Sequence, residues 1–559
     1  MNFRTNDDPE KKSKQCGSKK GDTSSGYELV NADSVCKTAN RKFPKNMKLS
    51  LSFLITILIS LSIGCFSNKP VQSFHQPVDE NLSLDSTMLG ISVIADSLEV
   101  PWEIAWGPDD WIWITEQKGI VSRINPETGK KHTLLNITKD VWMRTTPGLL
   151  GMAIHPDQKK YPYVFTNYTT QRDRQYFSRL VRYTSRRDTL INPKLLLEIP
   201  ANLGHNGSRI ALSGRDKLFW ATGDAQKDGN AQDSTSLNGK ILRLNIDGSI
   251  PDDNPVKGSY VWARGFRNMQ GLVMLPDGKL FTSEHGDAIE DEINLILPLH
   301  NYGWQNIEGF HDTEAEKLYA AKHRTTEPLK SWTPTIAPAG LDYYSSKIIP
   351  EWENSLLLTT LKGKSLRVLK LNADGTSIGS EKIFLENKYG RLRDICISPA
   401  GDVYISTSNR DWNPSPGFPK AGDDRILRIA KVKKADHKPM TAAHDETNAG
   451  PLLNGAVLYN QYCVSCHKED GKGLKDIFPP LQGAERVNGN KDTLINVLLN
   501  GSNGTVRVSG GSYTQQMPAF NFLKDAELTA LLTYIRSSWD NKASGINAEE
   551  VTKNRKRKK

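Results

Sequence analysis

The stretch VMLPDGKLFTSEHG, residues 273–286, joins an apolar strand end, a Pro-Asp-Gly turn and a second strand of alternating apolar and polar residues. Pro-Asp and Asp-Gly pairs preset a tight turn, and alternation with period two is typical of a half-buried strand. Five further copies of this hairpin pattern begin at Ala105, Ala153, Ala211, Ile348 and Ile397. Six copies over residues 90–432 leave roughly 56 residues for each, close to one blade of a β-propeller. The repeat therefore predicts an all-β six-bladed propeller, with a pair of β-sandwiches as the alternative.

The charge of the 559-residue chain is concentrated at its two ends. The net charge is +10, from 73 Lys and Arg against 63 Asp and Glu. Residues 1–64 and 553–559 carry this excess, so the body of the chain is close to neutral. A near-neutral body argues against a nucleic-acid-binding protein. The like charges at the C-terminus predict a solvated, disordered tail at 542–559, with contact to anionic lipid or nucleic acid as the alternative.

The N-terminus contains a long apolar run, LSLSFLITILISLSIG at 49–64, which is too short to cross a bilayer. Lys45 and Lys48 precede it, and small residues lead to Cys65, as in a secretory signal. The ending LSIGC resembles a bacterial lipoprotein signal, which implies that Cys65 is lipidated and anchors an exported protein to a membrane. A short anchor helix is the alternative. We therefore expect a polar extension at 1–46, before a candidate start at Met47, a signal at 47–65 and a linker at 66–89.

Polar residues recur in the loops of the predicted blades, and a propeller places such loops around one central channel. The loops supply one candidate base, one nearby acid and four cationic side chains: His205, Asp224, Arg267, Lys362, Arg391 and Arg393. A cationic pocket of this kind suits a cofactor with several negative charges. Each residue alone also has a structural explanation, because Asp224 could cap a turn and His205 could be a core histidine.

Several longer segments resemble one family in sequence order. They are LNGKILRLNIDGSIPDDNP (237–255), RGFRNMQGL (264–272), DEINLI (291–296) and NYGW (301–304). Together with the loops above, they resemble the glucose/sorbosone dehydrogenase family over about 90–432. The resemblance implies a propeller enzyme that binds pyrroloquinoline quinone (PQQ) and calcium and oxidises a sugar.

The resemblance also implies a role for each matching residue. His205 is the implied catalytic base, Asp224 its orienting acid, and Arg267 and Asn268 the pair beside the reactive quinone carbonyl. The implied residues for the cofactor's carboxylates and ring oxygens are Thr335, Lys362, Arg391 and Arg393. The implied calcium ligands are the backbone oxygens of Gly286 and Asp287. Glu292, Tyr302 and Asp312 fall where the family often has a second, structural calcium.

Four positions depart from the glucose enzymes of this family. Thr146 and Gly204 stand where those enzymes have a Gln and an Asp that contact sugar and cofactor, and His285 and Asp287 replace a Gln and a Pro. The loss of the first two side chains predicts a more open sugar site, as in the aldose enzymes. The chemistry still suits oxidation of a hemiacetal hydroxyl, because neutral imidazole can take its proton near pH 7.

A second domain follows the polar segment 433–451, which we interpret as a linker. In an exported protein, C-x-x-C-H at 463–467 is typical of c-type haem attachment. A thioredoxin-like pair would need a βαβ context, and a zinc site would need a second pair of ligands. The surroundings resemble a small, all-α class I cytochrome c over 452–541. The resemblance implies thioether bonds at Cys463 and Cys466, and iron ligation by His467 and by Met517 in QMPAF (516–520).

The leading interpretation is an exported sugar dehydrogenase that passes electrons from PQQ to its own haem c and then to an external acceptor, such as a soluble cytochrome. One alternative is a non-catalytic propeller that binds carbohydrate or protein and carries an electron-transfer cytochrome. Retention of the base, its acid and all four cationic residues favours an enzyme over this alternative. Another is a PQQ dehydrogenase of a non-sugar alcohol or aldehyde, which the changes at Thr146 and Gly204 leave open.

Overall fold

The computed structural model describes residues 77–433, 437, 439–440, 454–502 and 504–556. The first segment forms a β-propeller of six blades, and the residues from 454 onward form a small helical domain, as predicted. Both lie within one compact unit, Val71–Lys559. The predicted extension at 1–46 and the signal with Cys65 lie outside the described residues. Among the described helices, none is long and apolar enough to span a membrane.

Five blades are sheets of four consecutive antiparallel strands, preceded in the chain by β1 (Glu80–Ser83) and β2 (Met88–Ala95). The first blade contains β3 (Pro101–Trp106), β4 (Ile112–Glu116), β5 (Ile120–Ile124) and β6 (Lys131–Asn136). The second contains β7 (Leu149–Ile154), β8 (Tyr163–Arg172), β9 (Gln175–Arg186) and β10 (Thr189–Ala201). The third contains β11 (Gly207–Ser213), β12 (Lys217–Thr222), β13 (Lys240–Asn245) and β14 (Val261–Arg264).

The fourth blade contains β15 (Met269–Met274), β16 (Leu280–Glu284), β17 (Asp291–Ile296) and β18 (Lys330–Trp332), with the helix α1 (Glu314–His323) between the last two strands. The fifth contains β19 (Pro338–Tyr344), β20 (Ser355–Thr360), β21 (Leu366–Leu371) and β22 (Ile378–Phe384). The predicted hairpin copies fall at the connection between the first and second strands of each blade.

The sixth blade closes the ring with strands from both ends of the propeller. Its sheet runs from β23 (Leu392–Ile397), β24 (Val403–Thr407) and β25 (Ile426–Lys431) to β2, β1 and β26 (Pro439–Met440). The predicted linkers at 66–89 and 433–451 are therefore too long. The strands β1 and β26 lie within them, because the outer edge of the last blade needs hydrogen-bonding partners.

The first strand of each blade lies on the inside of the ring, where β3, β7, β11, β15, β19 and β23 contact one another in turn. The start of each inner strand pairs with the end of the second strand, as Gly207 pairs with Thr222. Loops before a first strand and loops after a second strand therefore meet at one end of the central channel. The residues of the propeller that are predicted to act in catalysis or to bind PQQ lie in these loops or at the adjoining strand ends.

The helical domain contains α2 (Gly455–Tyr462), α3 (Val464–His467), α4 (Glu485–Asn488), α5 (Lys491–Asn500), the hairpin β27 (Val506–Val508) and β28 (Gly511–Tyr513), α6 (Asp525–Ser537) and α7 (Ala548–Lys556). Asn454 caps α2 by accepting the backbone N–H of Ala456 at 2.9 Å. Helix α2 crosses α6 closely at Gly455, where a Cβ would lie 2.2 Å from the carbonyl oxygen of Ala530. Only glycine allows this approach.

The prediction of a disordered tail at 542–559 is wrong for the residues of α7. Val551 and Asn554 are buried, and Asn554 donates to a carboxylate oxygen of Asp492 at 2.8 Å. Lys491 and Arg555 form ion pairs with Glu550 and Asp525, respectively. The charge count missed this helix because its basic residues follow an acidic first turn and one of them meets an acid on α6.

Candidate active site

A cavity of about 430 Å³ lies between the channel end of the propeller and the helical domain. Predicted site residues from both parts line it: His205, Arg267, Asn268, Asp287, Thr335, Lys362, Arg391, Arg393, Cys463, Cys466, His467 and Met517. The propeller residues come from the third to the sixth blade. The fold thus brings the predicted quinone site and the predicted haem site into one continuous space.

His205 and Asp224 form a hydrogen-bonded pair at this cavity. The Nδ1 atom of His205 lies 2.9 Å from Oδ1 of Asp224. Asp224 also accepts the N–H of Gln226 at 2.8 Å and the indole N–H of Trp304 at 2.7 Å. Burial acts to raise the pKa of Asp224, but the charge and hydrogen bond of His205 outweigh it and hold this pKa below its usual value. An ionised Asp224 fixes the proton on Nδ1 and leaves Nε2 of His205 able to accept a proton.

Glycines set the backbone around this pair. His205 has a φ of 52° and Gly207 a φ of 62°, both in the left-handed region. A Cβ at Gly223 would lie 2.0 Å from the carbonyl oxygen of His205. Only glycine therefore lets the loop after β12, which carries Asp224, approach the loop before β11, which carries His205.

Two of the predicted cofactor-binding arginines share one acid. Asp411 accepts from Nη2 of Arg391 at 3.1 Å and from Nη2 of Arg393 at 2.8 Å. Burial acts to raise the pKa of Asp411, but the two guanidinium groups hold it below its usual value. The Nε atoms of Arg391 and Arg393 are buried without a hydrogen-bond partner among the described residues. The pair thus keeps unsatisfied donors, which suits an anionic ligand with several oxygens.

Lys362 and Arg267 extend the cationic lining. Lys362 donates to Oγ1 of Thr335 at 2.7 Å, and burial lowers the pKa of its ammonium group. Arg267 pairs with Asp287 at 2.6 Å, and its guanidinium carbon lies 5.3 Å from the ring centroid of Trp304. Asp287 therefore holds the arginine predicted to lie beside the quinone.

Neighbouring groups occupy the space around Gly204 and Thr146, where the sequence predicts a more open sugar site. A Cβ at Gly204 would lie 2.9 Å from the amide carbon of Gln226, so this side chain fills the space beside Gly204. Thr146 donates to the carbonyl oxygen of Leu203 at 2.7 Å. It thereby braces the loop that leads to His205.

The C-x-x-C-H motif lies across α3 and faces the same cavity. Nδ1 of His467 lies 3.0 Å from the carbonyl oxygen of Pro479, and burial lowers the pKa of this imidazole. A neutral ring that donates from Nδ1 keeps Nε2 as a metal ligand. Cys463 and Cys466 are not joined by a disulfide bond. The surrounding lining is largely apolar, with Leu494, Leu498, Val508 and Ile535, so the residues present fit a covalently bound haem.

The predicted second calcium site is only partly assembled. Glu292 and Tyr302 line a small cavity together with Glu284, Glu290 and Glu308, but Asp312 does not. The hydroxyl of Tyr302 donates to the carbonyl oxygen of Leu295 at 2.6 Å. Within the described residues, no three His, Cys, Asp or Glu side chains are arranged to hold a metal ion. Gly286 and Glu292 both line this cavity, whereas Asp287 lines the larger one.

Several lining residues were not identified from the sequence. They are Trp102, Gln117, Gln226, Gln270, Asp411, Trp412 and Asn413. Gln117 donates to the carbonyl oxygens of Thr145, Thr146 and Pro147, and so fixes the loop before β7. A signal was present for most of these residues, since they follow a second strand or precede a first strand of a blade.

Comparison with known families agrees with both resemblances. The Glucose / Sorbosone dehydrogenase family matches residues 98–413, and the Cytochrome c family matches residues 452–539. The fold and site thus define the class, a quinoprotein sugar dehydrogenase-like propeller fused to a cytochrome c. Within that class, the chain belongs to the Glucose / Sorbosone dehydrogenase family.

Individual relatives cover each domain. Quinoprotein glucose dehydrogenase B of Acinetobacter calcoaceticus is 30% identical over an alignment of 444 residues, gaps included, and the match covers 63% of this chain and 91% of that protein. The structure of the PQQ-bound form of aldose sugar dehydrogenase from Streptomyces coelicolor is 32% identical, with a TM-score of 0.53 over 62% of this chain and 98% of that chain. Cytochrome c-552 of Thermus thermophilus is 40% identical over 114 residues, 19% of this chain and 86% of that protein. These matches support PQQ and haem c as the cofactors.

Proposed function

We propose that this protein is an exported sugar dehydrogenase that oxidises an aldose at C1 and passes the electrons through its own haem to an external acceptor. The observation that carries the proposal is the single cavity lined by His205, the four cationic side chains and the C-x-x-C-H motif. Oxidation at one end of this cavity and electron release at the other would need no separate carrier between them.

His205 is the proposed catalytic base. Asp224 holds its Nδ1 proton, so Nε2 is the atom that takes the proton of the sugar's C1 hydroxyl. The indole N–H of Trp304 and the backbone N–H of Gln226 donate to Asp224 and keep it in place during this transfer. The pair thus orients the base before the sugar arrives.

The cationic residues are the proposed cofactor-binding groups. When bound, PQQ supplies the hydride acceptor for the C1 hydrogen. Arg391 and Arg393, with their unpartnered Nε atoms, together with Lys362 and Thr335, would hold its carboxylates and ring oxygens. Arg267 and Asn268 would lie beside the reactive carbonyl, where a fixed positive charge stabilises the negative charge that develops.

Calcium is the third proposed cofactor, beside PQQ and haem c. The backbone oxygens of Gly286 and Asp287 would hold it, since calcium prefers oxygen ligands. The loop that carries these atoms is fixed by Asp291, which accepts the N–H groups of Gly286 at 2.8 Å and Ala337 at 2.7 Å. For the second calcium, the present arrangement supports Glu292 and Tyr302 as neighbours but not Asp312.

The helical domain is the proposed electron outlet. Cys463 and Cys466 would bind the haem covalently, and His467 and Met517 would ligate its iron. Methionine–histidine ligation raises the haem potential, which suits an acceptor of electrons from a reduced quinone. Export and lipid anchoring at Cys65 remain part of this proposal, because covalent haem attachment to C-x-x-C-H fits an exported protein.

The test is haem reduction in the purified full-length protein. We would add PQQ, calcium and a panel of aldoses and record the visible haem absorbance. Reduction that requires PQQ, calcium and a sugar together is the expected result. A chemically reducible haem without PQQ binding would instead indicate a propeller that only binds carbohydrate or protein.

A second candidate substrate class is favoured by one observation. At Gly204 the protein lacks the acidic side chain of the glucose enzymes and places the neutral amide of Gln226 there. A neutral amide forms weaker hydrogen bonds to sugar hydroxyls than a carboxylate does. The same panel should therefore include primary alcohols and aldehydes. PQQ-dependent reduction by these compounds, and by no sugar, would replace the aldose in this proposal.

A further inference from the structure

Three consecutive residues connect the quinone-binding arginines to the helical domain. Asp411 holds Arg391 and Arg393, as described above, and its other oxygen accepts the N–H of Trp412 at 2.6 Å. The side chains of the next two residues, Trp412 and Asn413, line the cavity that the propeller shares with the helical domain. The conformation of this segment is therefore coupled to the cationic site by a buried carboxylate.

Both side chains contact neighbours of the proposed iron ligand His467. The ring of Trp412 lies 5.6 Å from the ring of Phe478, at an interplanar angle of 41°. The ammonium group of Lys468 donates to Oδ1 of Asn413. Lys468 directly follows His467, and Phe478 directly precedes Pro479, the residue that accepts the Nδ1 proton of His467. The two contacts thus hold the haem-binding loop, residues 463–479, next to its histidine and next to the carbonyl group that orients this histidine.

Two further observations place the helical domain against the propeller. Ala288 is buried in the apolar core of the helical domain, and Ile289 packs against that core. Lys362, a residue proposed to hold PQQ, lines the same cavity as Cys463 and Cys466.

We propose that Trp412 and Asn413 form the docking contact that holds the haem-binding loop over the quinone site, and that Trp412 is a positioning residue for electron transfer from the propeller to the haem. This proposal rests on the proposed function for its electron source. Each oxidised C1 hydroxyl yields two electrons and two protons. The electrons leave singly, each reducing one ferric haem to ferrous haem, and an external one-electron acceptor reoxidises the haem between them.

The positive charges around Asn413 explain why a neutral amide, and not a carboxylate, accepts the hydrogen bond from Lys468. The partner of Asn413, Lys468, is cationic, as are Arg391 and Arg393, which line the same cavity as Asn413. A carboxylate at position 413 would pair with Lys468 but would also compete for the arginines that are proposed to bind PQQ. The amide of Asn413 satisfies the ammonium group and leaves those charges for the cofactor.

The test uses Trp412→Ala, Trp412→Phe and the control Trp111→Ala, all in the full-length holoprotein. Trp111 is also half-buried, and its ring stacks with Arg123 on the first blade, outside the shared cavity. Two quantities are measured. One is the rate of haem reduction after mixing with sugar, divided by turnover with a small dye that takes electrons from the quinone directly. The other is labelling of Lys468 by an amine reagent, relative to the exposed Lys472, read by mass spectrometry without turnover.

In Trp412→Ala, the normalised rate of haem reduction is expected to fall about 10-fold, because loss of one aromatic contact lowers the fraction of molecules in which the haem-binding loop is docked. Labelling of Lys468 should rise severalfold in the same variant. Trp412→Phe should restore both values in large part, and Trp111→Ala should change neither. Unchanged haem reduction in Trp412→Ala would overturn the positioning role, and unchanged labelling would overturn the docking contact. A wild-type protein that oxidises nothing, but whose Lys468 still loses protection in Trp412→Ala, would refute the proposed function and leave the docking contact intact.

Discussion

The propeller half and the helical half of the shared cavity are built differently. The propeller half collects charged side chains from loops of four blades, and several are paired with protein acids, as His205 is with Asp224. The helical half takes its proposed haem groups from one five-residue motif and Met517, and its lining is largely apolar. The difference shows that the charged half is organised by pairs between protein groups, whereas the apolar half offers mainly surface for a large apolar group.

The largest expected effect comes from removing the haem attachment, which should separate the two halves. In the double variant Cys463→Ala with Cys466→Ala, the covalent haem and all sugar-driven haem reduction should be lost. Turnover with a dye that accepts electrons from the quinone should remain, because no propeller side chain changes. Haem absorbance and dye-linked turnover, measured in parallel, check this.

The matched control is Cys396→Ala. Cys396 is buried in the sixth blade, away from the shared cavity, so this variant should keep its haem. Loss of dye-linked turnover in the double variant would show that the propeller half depends on the helical half. It would contradict the view that the two halves are organised independently.

The next largest effect is expected at the proposed base. His205→Ala should lower dye-linked turnover by about 10²- to 10⁴-fold, the usual contribution of a positioned base. The haem spectrum should not change, because the loop of His205 belongs to the propeller half. Asp224→Asn should lower turnover by about 10- to 100-fold, since it removes one charged hydrogen bond worth ~1.5–3 kcal/mol.

Steady-state kinetics with PQQ at saturation checks both variants. The binding of PQQ by each variant should be measured separately, so that loss of the cofactor is not mistaken for loss of the base. Near-normal turnover of His205→Ala would refute the assignment of the base.

The fold was predictable to the extent that it repeats. Each hairpin copy carries its own turn residues and alternation, so six blades could be counted from local patterns. The strands β1 and β26 were missed, because their pairing depends on where the ring closes and not on a local pattern. The helix α7 was missed for a related reason, since its buried face meets α5 and α6 only in the folded domain.

The candidate site divides in the same way. The motif around His467 is local, and the propeller residues were found because they resemble a family in sequence order. Gln226 and the segment 411–413 were not found. Gln226 matters because Gly204 leaves space for it, and Trp412 matters because Phe478 docks against it. Such roles follow from contacts between loops that are distant in sequence.

A smaller effect is expected from introducing an acid at Gly204, at the proposed sugar site of the propeller half. In Gly204→Asp, the new side chain must displace Gln226, because a Cβ at 204 would lie 2.9 Å from the amide carbon. One added hydrogen bond to a sugar hydroxyl is worth ~1 kcal/mol, or about fivefold. The spread of kcat/KM over a panel of aldoses should therefore widen by about this factor.

Gln226→Ala is the companion variant for Gly204→Asp, since it empties the same space without adding a charge. It should narrow the spread of kcat/KM among aldoses. If both variants leave the spread unchanged, sugar selection lies elsewhere in the cavity. Haem reduction potentials should be the same in both, because the helical half is untouched.

The smallest expected effect is a pH dependence of stability with opposite signs in the two domains. Burial raises the pKa of Asp342 to about 7 and that of Asp424 to about 6. Between 3.8 and these values the folded propeller binds more protons than the unfolded chain, so its stability should fall as the pH rises from about 4 to 7.

In the helical domain, hydrogen bonds from Thr552 and Arg555 lower the pKa of Asp525. The stability that this carboxylate contributes is present above pH 3.8 and is lost as the pH falls through its lowered pKa.

Thermal unfolding separates the domains when it is followed at two signals. The haem band reports the helical domain, and tryptophan fluorescence reports mainly the propeller, since Trp539 is the one tryptophan of 12 that lies after residue 453. Asp342→Asn should reduce the fall in the propeller's Tm between pH 4 and 7 by about 5 °C, since a shift of about three pKa units is worth ~4 kcal/mol, whereas the exposed Asp277→Asn should not change it. If the two signals instead move together at every pH, the domains unfold as one unit. In that case the contact between Trp412 and Phe478 would be expected to contribute to a shared stability, and Trp412→Ala should then split the single transition into two.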